Sequence, residues 1–190
     1  ALTAAPGDAA ADALRYSITD RDTGHDVVPP DPLNQPAVYM NLVEDMESAP
    51  KNTERLHAAW MAYINATWGD PVMRNIARFE PIARQLAETL GDDERPLFLR
   101  GCGLGEGAYQ EVEGALSRAE ARLAWLAPHD DLAHLNCTLH IAHGADDDVV
   151  PVRHAAALAD AATSCPKVTR AVTGIYGHTE HVGLGGVLKR

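Results

Sequence analysis

Through residues 52–126 the apolar positions recur with a helical period, and only near the end of the chain do they shorten into strand-like runs. Residues 52–68 put Leu56, Ala59, Trp60, Tyr63 and Ile64 on one stripe with polar residues opposite. Gly69-Asp70-Pro71 ends that helix and starts the next. Residues 72–90 read as two helical pieces divided at Pro81, which cannot donate a hydrogen bond to the preceding turn. Gly91 is a natural stop. A further helix covers 106–126 and ends at Ala127-Pro128, and Asp130 or Asp131 caps a short turn leading to Leu135. Ahead of these helices, 1–13 is alanine-rich and low in complexity, like a linker. Residues 14–19 alternate weakly, as an edge strand does. The proline-rich stretch 20–36 reads as a loop, and 38–46 as a short helix.

The last part of the chain changes period. Residues 138–142 form a short apolar run that predicts a strand buried on both faces. Gly144 allows a sharp turn, and Asp146, Asp147 and Asp148 follow within it. Pro151 suits the first turn of a helix over 152–162, Cys165-Pro166 ends that helix, and 168–172 is the next strand. Gly174 and Gly177 then frame a loop carrying His178. A strand–helix–strand crossover of these lengths makes the two strands parallel neighbours. The acidic loop and the histidine loop would then leave the same edge of the sheet, where open α/β sheets hold their ligands. An aspartate in that place can orient a histidine and set its tautomer.

Residues 137–181 resemble the C-terminal part of the α/β-hydrolase fold. The segment His143-Gly144-Ala145-Asp146-Asp147-Asp148-Val149-Val150-Pro151 is similar to the family's His-Gly-x-x-Asp-x-x-Val-Pro, and Gly177-His178 is similar to its later Gly-His. The resemblance implies an α/β fold class, with parallel strands and a helical lid insertion. It makes Asp147 the acid and His178 the base of a catalytic triad, with Asp146 and Asp148 as the neighbouring candidates for the acid. After the linker and loop with a possible edge strand over 1–36, it implies a lid over 37–135 and a strand–helix–strand core over 136–190. Trp60, Met61, Tyr63, Trp68 and Met73 are either substrate-facing residues of that lid or ordinary core. The implied substrates are small molecules with ester, thioester or related acyl bonds, and the implied chemistry uses neither cofactor nor metal.

The family's nucleophile precedes its acid in the chain, yet no Gly-x-Ser-x-Gly occurs among the 190 residues. None of Ser17, Ser48, Ser117 and Ser164 has the flanking glycines. Cys102, after a short apolar run and between Gly101 and Gly103, would have the right order as a cysteine nucleophile. Arg100 stands where that motif has glycine, and a tight loop of small residues allowing close backbone packing is the competing reading. The expected partner is therefore an N-terminal segment or separate chain carrying the nucleophile, or a second copy. The non-methionine start and the linker-like opening favour a piece of a longer hydrolase. A subunit of a two-chain enzyme and a non-catalytic relative serving as an interaction module are the alternatives.

Composition narrows the classes further. A length of 190 residues, 46% of them hydrophobic, suits one soluble globular core or part of one. A net charge of −11 argues against nucleic acid or an anionic membrane surface as partner. No apolar run reaches the roughly 20 residues of a membrane span. Three widely spaced cysteines favour a reducing compartment, although a leader removed earlier would leave no trace and the location stays open. Nine histidines include two pairs three apart, His140 with His143 and His178 with His181. The first pair lies on a strand, where residues three apart face opposite ways. The second, beside Glu180, leaves a metal-binding reading as an alternative.

Overall fold

The structure is a computed structural model that describes residues 9–16, 31–126, 128–175 and 177–178. It combines helices with one sheet of two parallel strands. The described residues fall into two compact units, one over 31–121 and the other combining 9–16 with those from 122 onward. No helix among them is long and apolar enough to cross a membrane.

In chain order, helix α1 (Ala9–Tyr16) belongs to the second unit. Its residues were expected to be linker and the beginning of an edge strand. The alanine-rich run favours helix locally, and burial of Tyr16 under the Arg153 guanidinium, 5.9 Å from the ring centre, gives the helix a docking point. The remainder of the expected edge strand lies outside the described residues.

Four helices and nearly all of a fifth build the first unit. A short 3-10 turn at Pro32–Asn34 leads directly into α2 (Gln35–Leu42), so the end of the expected loop 20–36 is helical. Asp31 starts that turn, accepting the Leu33 N–H at 2.9 Å, and Pro36 sits in the first turn, where a missing N–H costs nothing. Helix α3 (Glu54–Thr67) buries Leu56, Ala59, Trp60 and Tyr63. The residues offered as lid contacts divide accordingly: Trp60 and Tyr63 are core, while Met61 and Trp68 are exposed.

Helix α4 (Ile76–Ala87) runs straight through Pro81, where a break was expected. The division falls earlier, at Asn75, whose side chain caps the new helix by accepting the Ala77 N–H at 3.0 Å. Pro81 lies on the exposed side, and the buried Phe79, Ala83 and Ala87 hold the opposite side in place despite one lost backbone bond.

Helix α5 (Arg95–Gly101) is followed by α6 (Ala108–Leu123). The apolar run before Cys102 is therefore helical rather than strand or loop. Its end is a Schellman turn: Leu104 N–H bonds to Leu99 O at 2.9 Å and Gly103 N–H to Arg100 O at 2.9 Å. Gly103 makes this possible with φ of 75°.

The core of this unit closes around Trp60. Its indole meets Tyr39 edge-on at 5.7 Å and stacks on Phe98 at 6.2 Å, while its Nε1–H donates to Phe98 O at 3.1 Å. A Cβ on Gly101 would come within 2.5 Å of that Nε1, so the α5 backbone packs directly on the ring. Beside it, Glu111 of α6 accepts from Arg100 Nε at 2.9 Å, from Tyr39 OH at 3.0 Å and from Ser48 Oγ. Burial alone would raise the Glu111 carboxyl, but these hydrogen bonds overcome it and hold the group below the usual glutamate range.

In the second unit, α7 (His129–Ala133) precedes strand β1 (Leu139–Gly144), helix α8 (Arg153–Ala161) and strand β2 (Val168–Thr173). The strands pair in parallel from Leu139 with Val168 through Gly144 with Thr173. Neither face of β1 is fully covered. Leu139, Ile141 and His143 are half-buried, whereas His140 and Ala142 are exposed. Two-sided burial was expected, and the alternation instead marks a sheet covered mainly on one side.

Gly101→Ala is expected to lower the melting temperature. Overpacking against Trp60 costs about 1–3 kcal/mol, which outweighs the up to ~1 kcal/mol of helix propensity gained. A variant at least as stable in thermal unfolding would refute the close approach. Glu111 also carries an acid prediction with a definite sign. Its pKa is depressed by folding, so its contribution is present above the ordinary glutamate pKa of about 4.3 and lost as pH falls through the lower folded value. Glu111→Gln should lower stability near neutrality by about 1.5–3 kcal/mol and flatten its decline in acid. Parallel pH–stability curves for the two proteins would contradict this.

Candidate active site

The site grows from the carboxyl ends of the two strands. Ala145 N–H still bonds to Thr173 O at 2.8 Å, so the pairing runs one residue beyond β1 before the chain turns away. The loop then closes on the side chain of Asp147. Asp147 Oδ1 accepts the backbone N–H groups of Val149 at 3.0 Å and Val150 at 2.8 Å, an aspartate turn that gathers the chain around its own carboxylate. The first bonds of α8 follow at once, from His154 N–H to Pro151 O at 2.9 Å. Pro151 thus lies just ahead of the helix, where only its carbonyl is needed.

The second carboxylate oxygen faces the histidine loop. His178 Nδ1 lies 3.2 Å from Asp147 Oδ2. Gly177, immediately before it, packs near Asp146, whose carbonyl would be 3.6 Å from an added Cβ. The two residues are 31 apart in sequence and meet because β1 and β2 are adjacent and parallel. Burial differs sharply across the pair, with 7% of the Asp147 side chain exposed and 39% of the His178 side chain. An ionised carboxylate can only accept, so the proton of a neutral His178 sits on Nδ1. Nε2 then carries the lone pair, on the ring's far side from the carboxylate. This is the arrangement of an oriented base.

A third residue completes the cluster, and the sequence reading gave it no role. His143 Nε2 lies 3.0 Å from Val150 O and 3.4 Å from Asp147 Oδ2. Strand alternation separates it from His140, which turns to the exposed side and pairs across the strands with Thr169 Oγ1 at 2.5 Å. The available signal was His143's place next to the last residue of β1, at the edge from which the acidic loop departs.

The other candidates are placed as follows. Ser48 bonds to Glu111, and Ser117 Oγ donates back to Glu113 O at 3.0 Å within α6, so neither stands on a strand-to-helix turn. Ser164 lies in the turn after α8, at the opposite edge of the sheet from Asp147. Ser17 is outside the described residues. Cys102 ends a helix instead of a strand, its thiol is buried, and burial pushes its pKa up, away from the reactive thiolate. Among the described residues no group of three or more His, Cys, Asp or Glu side chains is placed to hold a metal ion. Glu180 and His181, on which the metal reading depends, lie outside them.

Asp147→Ala should leave the Val149 and Val150 amides without their acceptor. Hydrogen exchange at these two positions is expected to quicken by roughly ten- to a hundredfold, the scale of one hydrogen bond to a charged group. Unchanged protection would show that the loop does not depend on the carboxylate.

No protein-family model, curated protein or solved structure matches this chain.

Proposed function

We propose that this chain carries the acid and base of an α/β-hydrolase-type active site acting on ester, thioester or related acyl bonds. Asp147 is the acid and His178 the base. The observation that carries this reading is the 3.2 Å approach of His178 Nδ1 to the buried Asp147 carboxylate at the carboxyl edge of two parallel strands.

In the proposed reaction, a serine supplied from outside these residues attacks the acyl carbon. His178 Nε2 takes the hydroxyl proton as the new C–O bond forms, and passes it to the leaving group as the old bond breaks. Water then attacks the acyl-enzyme with the same assistance, releasing the acid and restoring the serine. Asp147 stays ionised throughout and stabilises the imidazolium. The backbone N–H groups that would stabilise the oxyanion belong beside the nucleophile, and so outside the chain as well. The apolar Val172 and Ile175, 49% and 57% exposed beside the histidine loop, fit a further segment or chain packed against the sheet.

The test has two arms. Incubated alone with a p-nitrophenyl ester or a fluorophosphonate probe, the chain should show no turnover above its His178→Ala variant and no labelled serine. Combined with the segment or chain that bears the nucleophile, it should lose about four orders of magnitude in kcat on Asp147→Asn, the scale of an acid-to-amide change in a triad. Unchanged turnover in the assembled Asp147→Asn or His178→Ala enzyme would refute the assignment. Activity of the isolated chain that vanishes on alkylation of Cys102 would move the nucleophile to that cysteine instead.

A further inference from the structure

We infer that His143 is a positioning residue: its Nε2–H, anchored on the Val150 carbonyl, steadies the Asp147 carboxylate in the rotamer that presents Oδ2 to His178. The inference rests on reading Asp147 and His178 as an acid–base pair, and gives a role to the histidine that opens the family-like segment.

Hydrogen-bond polarity fixes which His143 nitrogen carries the proton. A backbone carbonyl only accepts, so the 3.0 Å contact between His143 Nε2 and Val150 O requires the proton on Nε2. The same nitrogen stands 3.4 Å from Asp147 Oδ2, close enough to wall that oxygen on the strand side while its proton goes to Val150. Because Nε2 bears a proton in the neutral and the charged ring alike, the contact does not depend on the protonation state of His143. Meanwhile the Val150 N–H donates to Asp147 Oδ1. His143 therefore grips Val150 from the strand, Val150 grips the carboxylate from the loop, and the two ends of the acidic loop are tied across the side chain they orient.

The burial pattern fits this division of labour. The His143 side chain is 12% exposed, against 39% for His178, so one imidazole is enclosed and the other open to a substrate. With both backbone bonds on Oδ1, rotation of the carboxylate would otherwise be limited only on that side. The His143 ring edge against Oδ2 from the strand leaves this oxygen one direction in which to receive His178. Removing the ring and its bond to Val150 should loosen the orientation and, through it, the tautomer of His178.

The experiment is a long-range proton–nitrogen NMR correlation on histidine-labelled protein, at mildly alkaline pH where an ordinary histidine is neutral. In the unaltered chain, His143 should appear with its proton on Nε2 and His178 with its proton on Nδ1. His143→Phe should shift His178 several-fold towards the Nε2–H tautomer. His143→Gln should restore the original state, because the glutamine Nε2 can occupy the imidazole Nε2 position, whereas His143→Asn, too short to reach Val150, should behave like phenylalanine. An unaltered His178 found as the Nε2–H tautomer would overturn the acid–base reading itself. A His178 that is Nδ1–H in the unaltered chain and remains so in both His143→Phe and His143→Asn would overturn only the role of His143. A proton on Nδ1 of His143 would do the same without any variant, even if the phenylalanine protein failed to fold.

Discussion

A buried carboxylate shapes everything at the strand ends. Leaving Asp147 ionised with little access to water costs several kcal/mol unless nearby donors replace the lost hydration. Here the donors come from two places, the loop's own backbone at Val149 and Val150 and the loop after β2 at His178, while His143 at the end of β1 stands 3.4 Å from the second oxygen. Each donor is held at the cost of fixing a piece of chain. The acidic loop is ordered around its charge, and the pairing of β1 with β2 brings the last donor within reach. The requirement that satisfies the charge also builds the proposed base, since the same contact sets which nitrogen of His178 holds the proton.

The helical unit solves a related problem with different parts. Glu111 is also partly withdrawn from water, and Arg100, Tyr39 and Ser48 neutralise and saturate it, joining α2, α5 and α6. Every one of its visible partners is structural, and the carboxyl is lowered by them. Asp147, by contrast, shares one oxygen with an imidazole that remains open to solvent. What sets Asp147 apart from the Glu111 staple is that open partner, more than the charge or its burial.

Several readings of local sequence gave way to packing. Pro81 removes a backbone bond, yet Phe79, Ala83 and Ala87 keep α4 continuous because they bury a common face. Cys102 has the small neighbours of a nucleophile turn, but those glycines serve a helix end and the close approach of the backbone to Trp60. Trp60 and Tyr63 had the spacing of either a lid or a core, and the neighbouring aromatic rings made Trp60 core. In each instance the local pattern was real while its partner lay far along the chain, where periodicity carries no information.

By itself the sequence determined the order of elements around the site: an apolar run, an acidic turn, a short helix, a second apolar run and a histidine loop. Period, glycine and proline placement suffice for that, because each acts on the few residues around it. It also singled out Asp147 and His178 as the pair to watch. Only the tertiary structure decided that their side chains meet, that β1 is open on one side, and that His143 joins them. Those outcomes depend on strand register and on which donors reach a buried charge, and both are settled between residues that the chain keeps far apart.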